Sequence, residues 1–312
     1  MATVQFGKET SKQGEFVRQA NRFTDRITAD GSSGWRAEPG RYRLVVSLAC
    51  PWAHRSVIVR RLLGLQDAIS LAVVDPIREN DTGWRFTLDE GGRDPVLGIA
   101  YLAEAYRAGD PDYSGRVTVP SIVDIESGRV VTNDHPRITL DLSTEWRAFH
   151  QPDAPDLYPE ALRAEIDEVA EPIFRNVNNG VYRAGFAGSQ EAHDEAFDAL
   201  FAELDRLSER LSTRRYLVGD QLTEADIRLF TTLVRFDAVY HGHFKCNRNK
   251  LTELPVLWAY ARDLFQTPGI GETVDFDHIK RHYYGTHPMI NPTGIVPRGP
   301  DLSGWHEPHG RG

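Results

Sequence analysis

Cysteine is scarce in this sequence, with Cys50 and Cys246 the two thiols among 312 residues. Two cysteines so far apart in a chain of this length cannot form the disulfide framework of a small secreted protein. Both are therefore expected to be free thiols. Because free thiols persist in a reducing compartment, the sequence predicts a cytoplasmic protein.

The sequence also has no long apolar run and no excess of positive charge. No stretch approaches the roughly 20 apolar residues that a membrane-spanning helix needs, and residues 1–26 contain no apolar core of a secretion signal. The 45 acidic residues outnumber the 36 basic ones, which gives a formal net charge of −9. This balance argues against nucleic acid or an anionic membrane as the main partner.

The segment around Cys50 is the most informative part of the chain. A β-prone run over residues 43–48 precedes it, and apolar residues at helical spacing follow it over residues 51–63. A cysteine at such a junction faces the unpaired amides and the positive end of the helix, which favour the thiolate. Pro51 suits the first helical position, and His54 and Arg55 can carry positive charge in the first turn. The pattern predicts a reactive thiol of lowered pKa, and a buried cysteine without chemistry is the alternative.

The order of elements predicts a thioredoxin-like domain. The predicted strands and helices cover residues 43–48, 51–63, 69–74, 99–107, 121–125, 129–132 and 134–149. This is a βαβ unit followed by an αββα unit. Pro120, which precedes the third strand, is expected to be a cis proline that exposes the Val119 backbone beside the thiol.

Three parts are predicted along the chain. Residues 1–40 are polar and rich in Gly and Ser, and they are interpreted as an extended N-terminal arm. Residues 41–150 form the thioredoxin-like, thiol-binding domain, and a linker with several prolines follows. Residues 159–312 form an all-α domain with an aromatic-rich tail, with helices predicted at 159–178, 190–212, 223–240 and 255–265. The fold class is α/β plus all-α.

Several motifs resemble those of the glutathionyl-hydroquinone reductases, which are the xi class of the glutathione transferases. They are CPWAHR (50–55), GWRF (83–86), DYSGRVTVP (112–120), NNGVYRAGFA (178–187), GHFKCN (242–247) and a long tail motif between residues 275 and 297. The similarity covers roughly residues 40–300. The tail motif is specific to this family, so it outweighs the general plan that all transferases share.

The resemblance implies a cysteine-dependent enzyme that removes the thiol from S-conjugated hydroquinones. Cys50 would attack the sulfur of the conjugate, the aromatic carbon would leave and take a proton, and a second thiol would resolve the mixed disulfide. The residues agree on one point: Ala53 stands where a Cys-x-x-Cys motif has its second cysteine, so an external thiol must complete the cycle. The expected co-substrate is glutathione or another low-molecular-weight thiol, with no metal, and the expected assembly is a homodimer.

The same resemblance implies roles for individual residues. Trp84 would line the thiol site, and the Val119 backbone would pair with the cysteinyl segment of the thiol. Tyr182 and Tyr283 would hydrogen-bond the hydroquinone oxygens and place a proton donor near the ring. Tyr284 could share this role. Packed tyrosines with satisfied hydroxyls are the structural alternative.

One stretch departs from the family pattern. Where the family has Glu-Ser to hold the γ-glutamyl group of glutathione, this chain has Asp134 and His135, followed by Pro136. Asp134 is one methylene shorter, His135 is much larger than serine, and Pro136 lacks an N–H. The change predicts altered thiol recognition in this part of the site, and mycothiol is a candidate.

Two other functions remain open at this stage. One is a general thioltransferase or dehydroascorbate reductase of the omega-like type, and the other is a non-catalytic thiol-binding module. The tyrosines and the tail motif favour the hydroquinone reductase over the first, and Cys50 beside Pro51 argues against the second. Cys246 has no helix-start environment and is expected to be a buried structural thiol. The pair His278 and His282 has helical spacing but no third metal ligand.

Overall fold

The computed structural model describes residues 9–311, so residues 1–8 of the predicted arm and residue 312 of the predicted helical domain lie outside the described residues. The described chain divides into two compact units. One consists of Gln19–Pro155, and the other joins residues 9–18 to residues 156–311. The arm is therefore divided between the two units.

The first unit is built on a four-stranded mixed sheet in the order β2-β1-β3-β4. The strands are β1 (Tyr42–Val46), β2 (Ile69–Val73), β3 (Ser121–Asp124) and β4 (Val130–Thr132), and the helices are α1 (Pro51–Leu62), α2 (Leu102–Gly109) and α3 (His135–Thr144). Strand β1 pairs in parallel with β2 and antiparallel with β3, and β4 is antiparallel to β3. Every residue of β1 is buried, which explains its continuous apolar sequence. The predicted thioredoxin-like fold is confirmed.

The second unit is helical, as predicted. Its helices are α4 (Arg163–Pro172), α5 (Gly180–Gly185), α6 (Gln190–Leu211), α7 (Glu224–Leu233), α8 (Pro255–Gln266) and α9 (Phe276–Thr286). Segments Ile173–Asn178 and Phe236–Tyr240 form π-helical turns. None of the described helices is long and apolar enough to cross a membrane.

Three predicted helices are too long. The helix predicted at 134–149 ends at Thr144, where the Ser143 and Thr144 hydroxyls donate to carbonyls one turn back and compete with the helical backbone. The helix predicted at 159–178 changes to a π-helix after Pro172, which has no N–H to continue the regular pattern. The helix predicted at 223–240 ends at Leu233. Apolar spacing does not distinguish α from π turns, because both bury one face.

Asp226 in the first turn of α7 stabilises the second unit. Its fully buried carboxylate accepts hydrogen bonds from the Leu217 N–H (2.9 Å), the Thr223 N–H and hydroxyl (both 2.9 Å) and the Tyr260 hydroxyl (2.8 Å). The pKa of Asp226 is raised by burial, although these hydrogen bonds act in the opposite direction. One side chain therefore satisfies four buried donors.

Replacing Asp226 by alanine is expected to lower the free energy of unfolding by about 3–5 kcal/mol, because four buried donors lose their acceptor. Asp275 provides a matched control, since it caps α9 through the His278 N–H (2.8 Å) but is partly exposed. Asp275→Ala should cost about 1 kcal/mol, as for an ordinary helix cap. Urea denaturation of both variants measures the difference, and equal losses would contradict the special role of Asp226.

Candidate active site

Cys50 lies between β1 and α1, at the N-cap position of the helix, with extended backbone (φ −77°, ψ 120°) and Pro51 as the first helical residue. Its carbonyl oxygen accepts the first helical hydrogen bond, from the His54 N–H (2.9 Å). The thiol is partly exposed. The predicted strand–cysteine–helix junction is confirmed, and the positive end of the α1 dipole lies at Cys50.

The two basic residues after Cys50 are buried. His54 and Arg55 are each 1% exposed, and the Arg55 guanidinium lies 4.7 Å from the centre of the Trp52 ring. The cation of Arg55 is therefore stacked on an aromatic face. The unpaired amides at the start of α1 add positive character at Cys50.

The Val119–Pro120 peptide is cis, as the sequence predicts. The Cys50 Sγ lies 3.4 Å from the Val119 carbonyl oxygen and donates to it. A carbonyl oxygen accepts a hydrogen bond from a neutral thiol and repels a thiolate, so this contact belongs to the protonated form of Cys50. The backbone of Val119 thus lies beside the sulfur, where the sequence places it.

A polar network behind this turn holds it in place. The Tyr106 hydroxyl donates to the Thr118 carbonyl (2.8 Å) and pairs with the Ser121 hydroxyl (2.9 Å). The Asn133 side-chain amide donates to the Thr118 hydroxyl (2.9 Å). Burial raises the pKa of Tyr106, which keeps this hydroxyl protonated and available as a donor. The turn beside the thiol is therefore preorganised by buried side chains of the same unit.

The predicted thiol-recognition residues lie in this unit. Asp134 is the N-cap residue of α3, and its carboxylate accepts a hydrogen bond from the Asn21 amide (3.3 Å). His135 is buried, with its ring centre 4.5 Å from that of Trp52. His135 therefore packs against the first turn that follows Cys50. Trp84 is also buried, and the Arg78 guanidinium lies 5.7 Å from its ring centre.

The predicted tyrosines lie together in the second unit. The hydroxyl of Tyr182, in α5, is 2.5 Å from the hydroxyl of Tyr283, in α9. A third tyrosine, Tyr240, lies 2.9 Å from Tyr283 through its hydroxyl. Burial raises the pKa of both Tyr240 and Tyr283 well above the ordinary value. The three hydroxyls form a cluster, the three-tyrosine cluster, in which Tyr240 and Tyr283 are neutral phenols.

Aromatic side chains pack around the three-tyrosine cluster. The Tyr182 ring makes an edge contact with Phe244 (centroids 5.4 Å apart), and Phe186 packs on both. A Cβ at Gly185 would lie 2.2 Å from the Phe244 ring, so the close approach of α5 to that ring requires glycine. The Tyr284 hydroxyl lies outside the three-tyrosine cluster, because it donates to the Ala238 carbonyl (3.4 Å).

Arg18 from the N-terminal segment also lies against Tyr182. Its guanidinium carbon is 5.1 Å from the centre of the Tyr182 ring, and its Nε donates to the Asn179 side-chain oxygen (3.3 Å). The segment is anchored to the same unit by the Ser189 hydroxyl, which donates to the Gln13 carbonyl (3.0 Å). A cation over a phenol ring favours negative charge on that phenol.

Arg18 and Tyr240 lie against the predicted tyrosines, and sequence reasoning missed both of them. The polar composition of the arm does not single out Arg18, and the apolar spacing identifies Tyr240 only as the last residue of a predicted helix. The GHFKCN motif, which begins two residues after Tyr240, was the available signal for that tyrosine.

The other candidates for chemistry are Cys246 and the histidine pair of α9, His278 and His282. Cys246 is fully buried, and burial raises the pKa of its thiol. This agrees with the structural thiol expected from the sequence. His278 lies 3.8 Å from the Asp275 carboxylate. Across residues 9–311, no group of three or more His, Cys, Asp or Glu side chains is arranged to hold a metal ion.

Comparisons with known proteins give consistent results. Residues 49–144 match the model of the glutathione S-transferase N-terminal domain, and residues 190–263 match that of the C-terminal domain. The chain is 48% identical over 311 residues to the glutathionyl-hydroquinone reductase YqjG of Escherichia coli, covering 96% of this chain and 93% of that protein. The glutathione-bound structure of YqjG superposes with a TM-score of 0.88 at 47% identity, over 93% of this chain and 96% of that one.

Two further solved structures are similar. A glutathione transferase from Gordonia bronchialis is 63% identical with a TM-score of 0.91, over 92% of this chain and 89% of that one. The xi glutathione S-transferase of Phanerochaete chrysosporium is 42% identical with a TM-score of 0.91, over 97% and 98% of the two chains. The similarity thus extends through both units.

Proposed function

Because the chain belongs to the glutathionyl-hydroquinone reductases, the xi class of the glutathione transferases, we propose that it is a thiol-dependent enzyme that removes the thiol from S-conjugated hydroquinones. The observation that carries this proposal is the partly exposed Cys50 at the start of α1, with the Val119 backbone beside its sulfur. Ala53, three residues after Cys50, stands where a Cys-x-x-Cys motif has its second cysteine, so the motif contains one thiol. A single thiol requires a second, external one to return to its reduced form.

The proposed reaction has two steps. The Cys50 thiolate attacks the sulfur of the conjugate, a sulfur–sulfur bond forms, and the carbon–sulfur bond breaks with its electron pair on the ring carbon. That carbon takes a proton and becomes the free hydroquinone. A second low-molecular-weight thiolate then attacks the mixed disulfide, which releases the Cys50 thiolate and a symmetrical disulfide. The ring carbon is reduced, and the two small thiols supply the electrons.

Individual side chains have proposed parts in these steps. The α1 amides favour the thiolate of Cys50 both as nucleophile and as leaving group. The Val119 backbone pairs with the cysteinyl part of the small thiol, and Trp84 lines its site. Tyr182 and Tyr283 hydrogen-bond the hydroquinone and supply the proton, since a neutral phenol can donate to a developing phenolate. The homodimer and the cytoplasmic location are also part of the proposal, since a reducing compartment keeps Cys50 available.

The identity of the small thiol depends on Asp134 and His135. YqjG was solved with glutathione bound, which supports glutathione as co-substrate for this chain too. However, the His135 ring packs on Trp52, and the Asp134 carboxylate is hydrogen-bonded to Asn21. The shorter acid and the larger ring both reduce contacts to a γ-glutamyl group. We therefore propose that a thiol without that group, such as mycothiol, is the better co-substrate.

Steady-state kinetics with the glutathione and mycothiol conjugates of the same hydroquinone test this proposal. We expect kcat/KM for the glutathione conjugate to be roughly ten- to a hundredfold lower, because each lost charge-assisted hydrogen bond costs about 1.5–3 kcal/mol. The double variant Asp134→Glu, His135→Ser should reverse part of this preference. The mass of Cys50 after incubation with each conjugate shows which thiol is transferred. A low-micromolar KM for the glutathione conjugate, with no turnover of the mycothiol conjugate, would overturn the thiol assignment.

A further inference from the structure

Asp134 does not use its carboxylate as an aspartate at a helix start ordinarily does. An N-cap aspartate usually accepts a hydrogen bond from an amide in the first turn of its helix. Asp134 is the N-cap residue of α3, yet its side chain does not cap the helix, and Pro136 in the first turn has no N–H to offer. Its carboxylate accepts instead from the side-chain amide of Asn21, with Nδ2 3.3 Å from Oδ1. The N-terminal arm, and not α3, therefore orients this carboxylate.

The part of the arm that contains Asn21 is held along the edge strand β4. Thr24 forms an antiparallel bridge with Thr132, the last residue of that strand. The Phe23 N–H donates to the side-chain oxygen of Asn133 (3.0 Å), and the Phe23 carbonyl accepts from the Asn133 N–H (2.9 Å). These bonds fix the register of the arm against the strand, and Asn21 lies two residues before Phe23. The amide of Asn21 is thus held in place by the backbone of the same unit.

The two sequence neighbours of Asp134 contact the segments on either side of the reactive thiol. The side-chain amide of Asn133 donates to the Thr118 hydroxyl (2.9 Å), in the turn that contains the cis peptide. The ring centre of His135 lies 4.5 Å from that of Trp52, in the first turn of α1. Asp134 stands between these two neighbours, so its carboxylate belongs to the same region of the unit as the thiol.

We propose that Asn21 is a positioning residue for the small thiol: it holds Asp134 so that the second carboxylate oxygen, Oδ2, accepts an N–H or O–H group from the part of the thiol outside its cysteinyl segment. Within residues 9–311 Oδ2 accepts no hydrogen bond, and Asp134 is only partly buried. The inference rests on the proposed function, because the thiol site is part of that proposal. It gives the arm a role in thiol recognition, which its polar composition does not indicate.

The chemistry of a carboxylate defines the group that Asp134 can recognise. An ionised carboxylate accepts hydrogen bonds and donates none, so the complementary group on the thiol must be a donor. The ammonium of glutathione and the hydroxyls of mycothiol are both donors, and the experiment below compares the two thiols. A side chain that is already held when the thiol arrives loses less conformational freedom on binding. Asn21 therefore raises the affinity for the small thiol by preorganising its acceptor.

Equilibrium binding tests the inference without turnover. Every protein in the series carries Cys50→Ser, so that no mixed disulfide forms. Isothermal titration calorimetry measures the dissociation constants of glutathione, mycothiol and N-acetylcysteine, the last of which has the cysteinyl segment alone. In Asn21→Ala we expect the dissociation constant of the tighter-bound of glutathione and mycothiol to rise about three- to tenfold, the effect of one hydrogen bond. That of N-acetylcysteine should change by less than about twofold, because this thiol does not reach Asp134.

A double-mutant cycle separates positioning from a general effect on the fold. Asp134→Ala should weaken binding of the same thiol by at least as much as Asn21→Ala does. Because Asn21 acts through Asp134, adding Asn21→Ala to Asp134→Ala should cause no further loss. Asn21→Asp keeps the size of the side chain but places a second carboxylate beside Asp134, so it should weaken binding at least as much as Asn21→Ala. Losses that simply add in the double variant would overturn the inference.

Arg22→Gln is the matched control. Arg22 follows Asn21 in the arm, and its exposed guanidinium pairs with Asp110 (3.0 Å), away from Asp134. This variant should bind all three thiols as tightly as the parent. An unchanged dissociation constant in Asn21→Ala, an equal weakening of N-acetylcysteine, or no binding of either glutathione or mycothiol by the parent would overturn the inference.

Turnover of S-conjugated hydroquinones, measured in proteins that retain Cys50, separates this inference from the proposed function. No turnover by the wild type, together with the expected binding pattern, would overturn the proposed function alone. Normal turnover by the wild type, together with unchanged thiol binding in Asn21→Ala, would overturn the role of Asn21 alone.

Discussion

Replacing Cys50 by serine is expected to abolish reduction of S-conjugated hydroquinones, with kcat/KM lower by at least about three orders of magnitude. The hydroxyl of serine cannot form a mixed disulfide, and the α1 dipole cannot make it ionise near neutral pH. Cys246→Ser is the control, because Cys246 is fully buried and burial raises the pKa of its thiol. That variant should retain most of the activity. Steady-state turnover of one conjugate by both variants measures the contrast.

The reactivity of Cys50 gives an independent measurement of the same hypothesis. The rate of alkylation by iodoacetamide, followed against pH in the Cys246→Ser background, should show a pKa at least one unit below the ordinary value of about 8.5. The physical reason is the location of Cys50 at the N-cap of α1. An ordinary thiol pKa, or activity retained in Cys50→Ser, would exclude Cys50 as the activated nucleophile.

Removing the Tyr182 or Tyr283 hydroxyl is expected to slow reduction of aromatic conjugates by roughly one to three orders of magnitude, the usual range for one positioned proton donor. The loss in Tyr182→Phe should be at least as large as in Tyr283→Phe, because Tyr182 is the more exposed of the two side chains, at 9% against 1%. Reduction of an aliphatic mixed disulfide should change little in either variant. The ratio of the two activities in each variant measures the effect.

Tyr284→Phe is the neighbouring comparison for this prediction. The Tyr284 hydroxyl donates to the Ala238 carbonyl and lies outside the three-tyrosine cluster. The loss of activity in this variant should therefore be smaller than in Tyr283→Phe. Equal losses on aromatic and aliphatic substrates in Tyr182→Phe would show that the hydroxyl supports the fold and not the ring chemistry.

Much of the thioredoxin-like unit could be predicted from local sequence. The Cys50 junction depends on a strand, a proline and a helix that are adjacent in the chain, and the cis geometry before Pro120 depends on one peptide bond. Helix ends were less predictable. The helix before Trp146 ends early because the Ser143 and Thr144 hydroxyls compete with the backbone, and a pattern of apolar residues contains no information about that competition.

The sequence by itself determined the fold class, the placement of Cys50 at a helix start and the departure at Asp134 and His135, because each depends on residue types at short spacing. The tertiary structure alone decided which tyrosine hydroxyls lie within hydrogen-bond distance of one another. Tyr182 and Tyr283 are 101 positions apart and Tyr240 and Tyr283 are 43 apart, and no local period relates them. Only the packing of α5, α9 and the π-helical turn places their hydroxyls together.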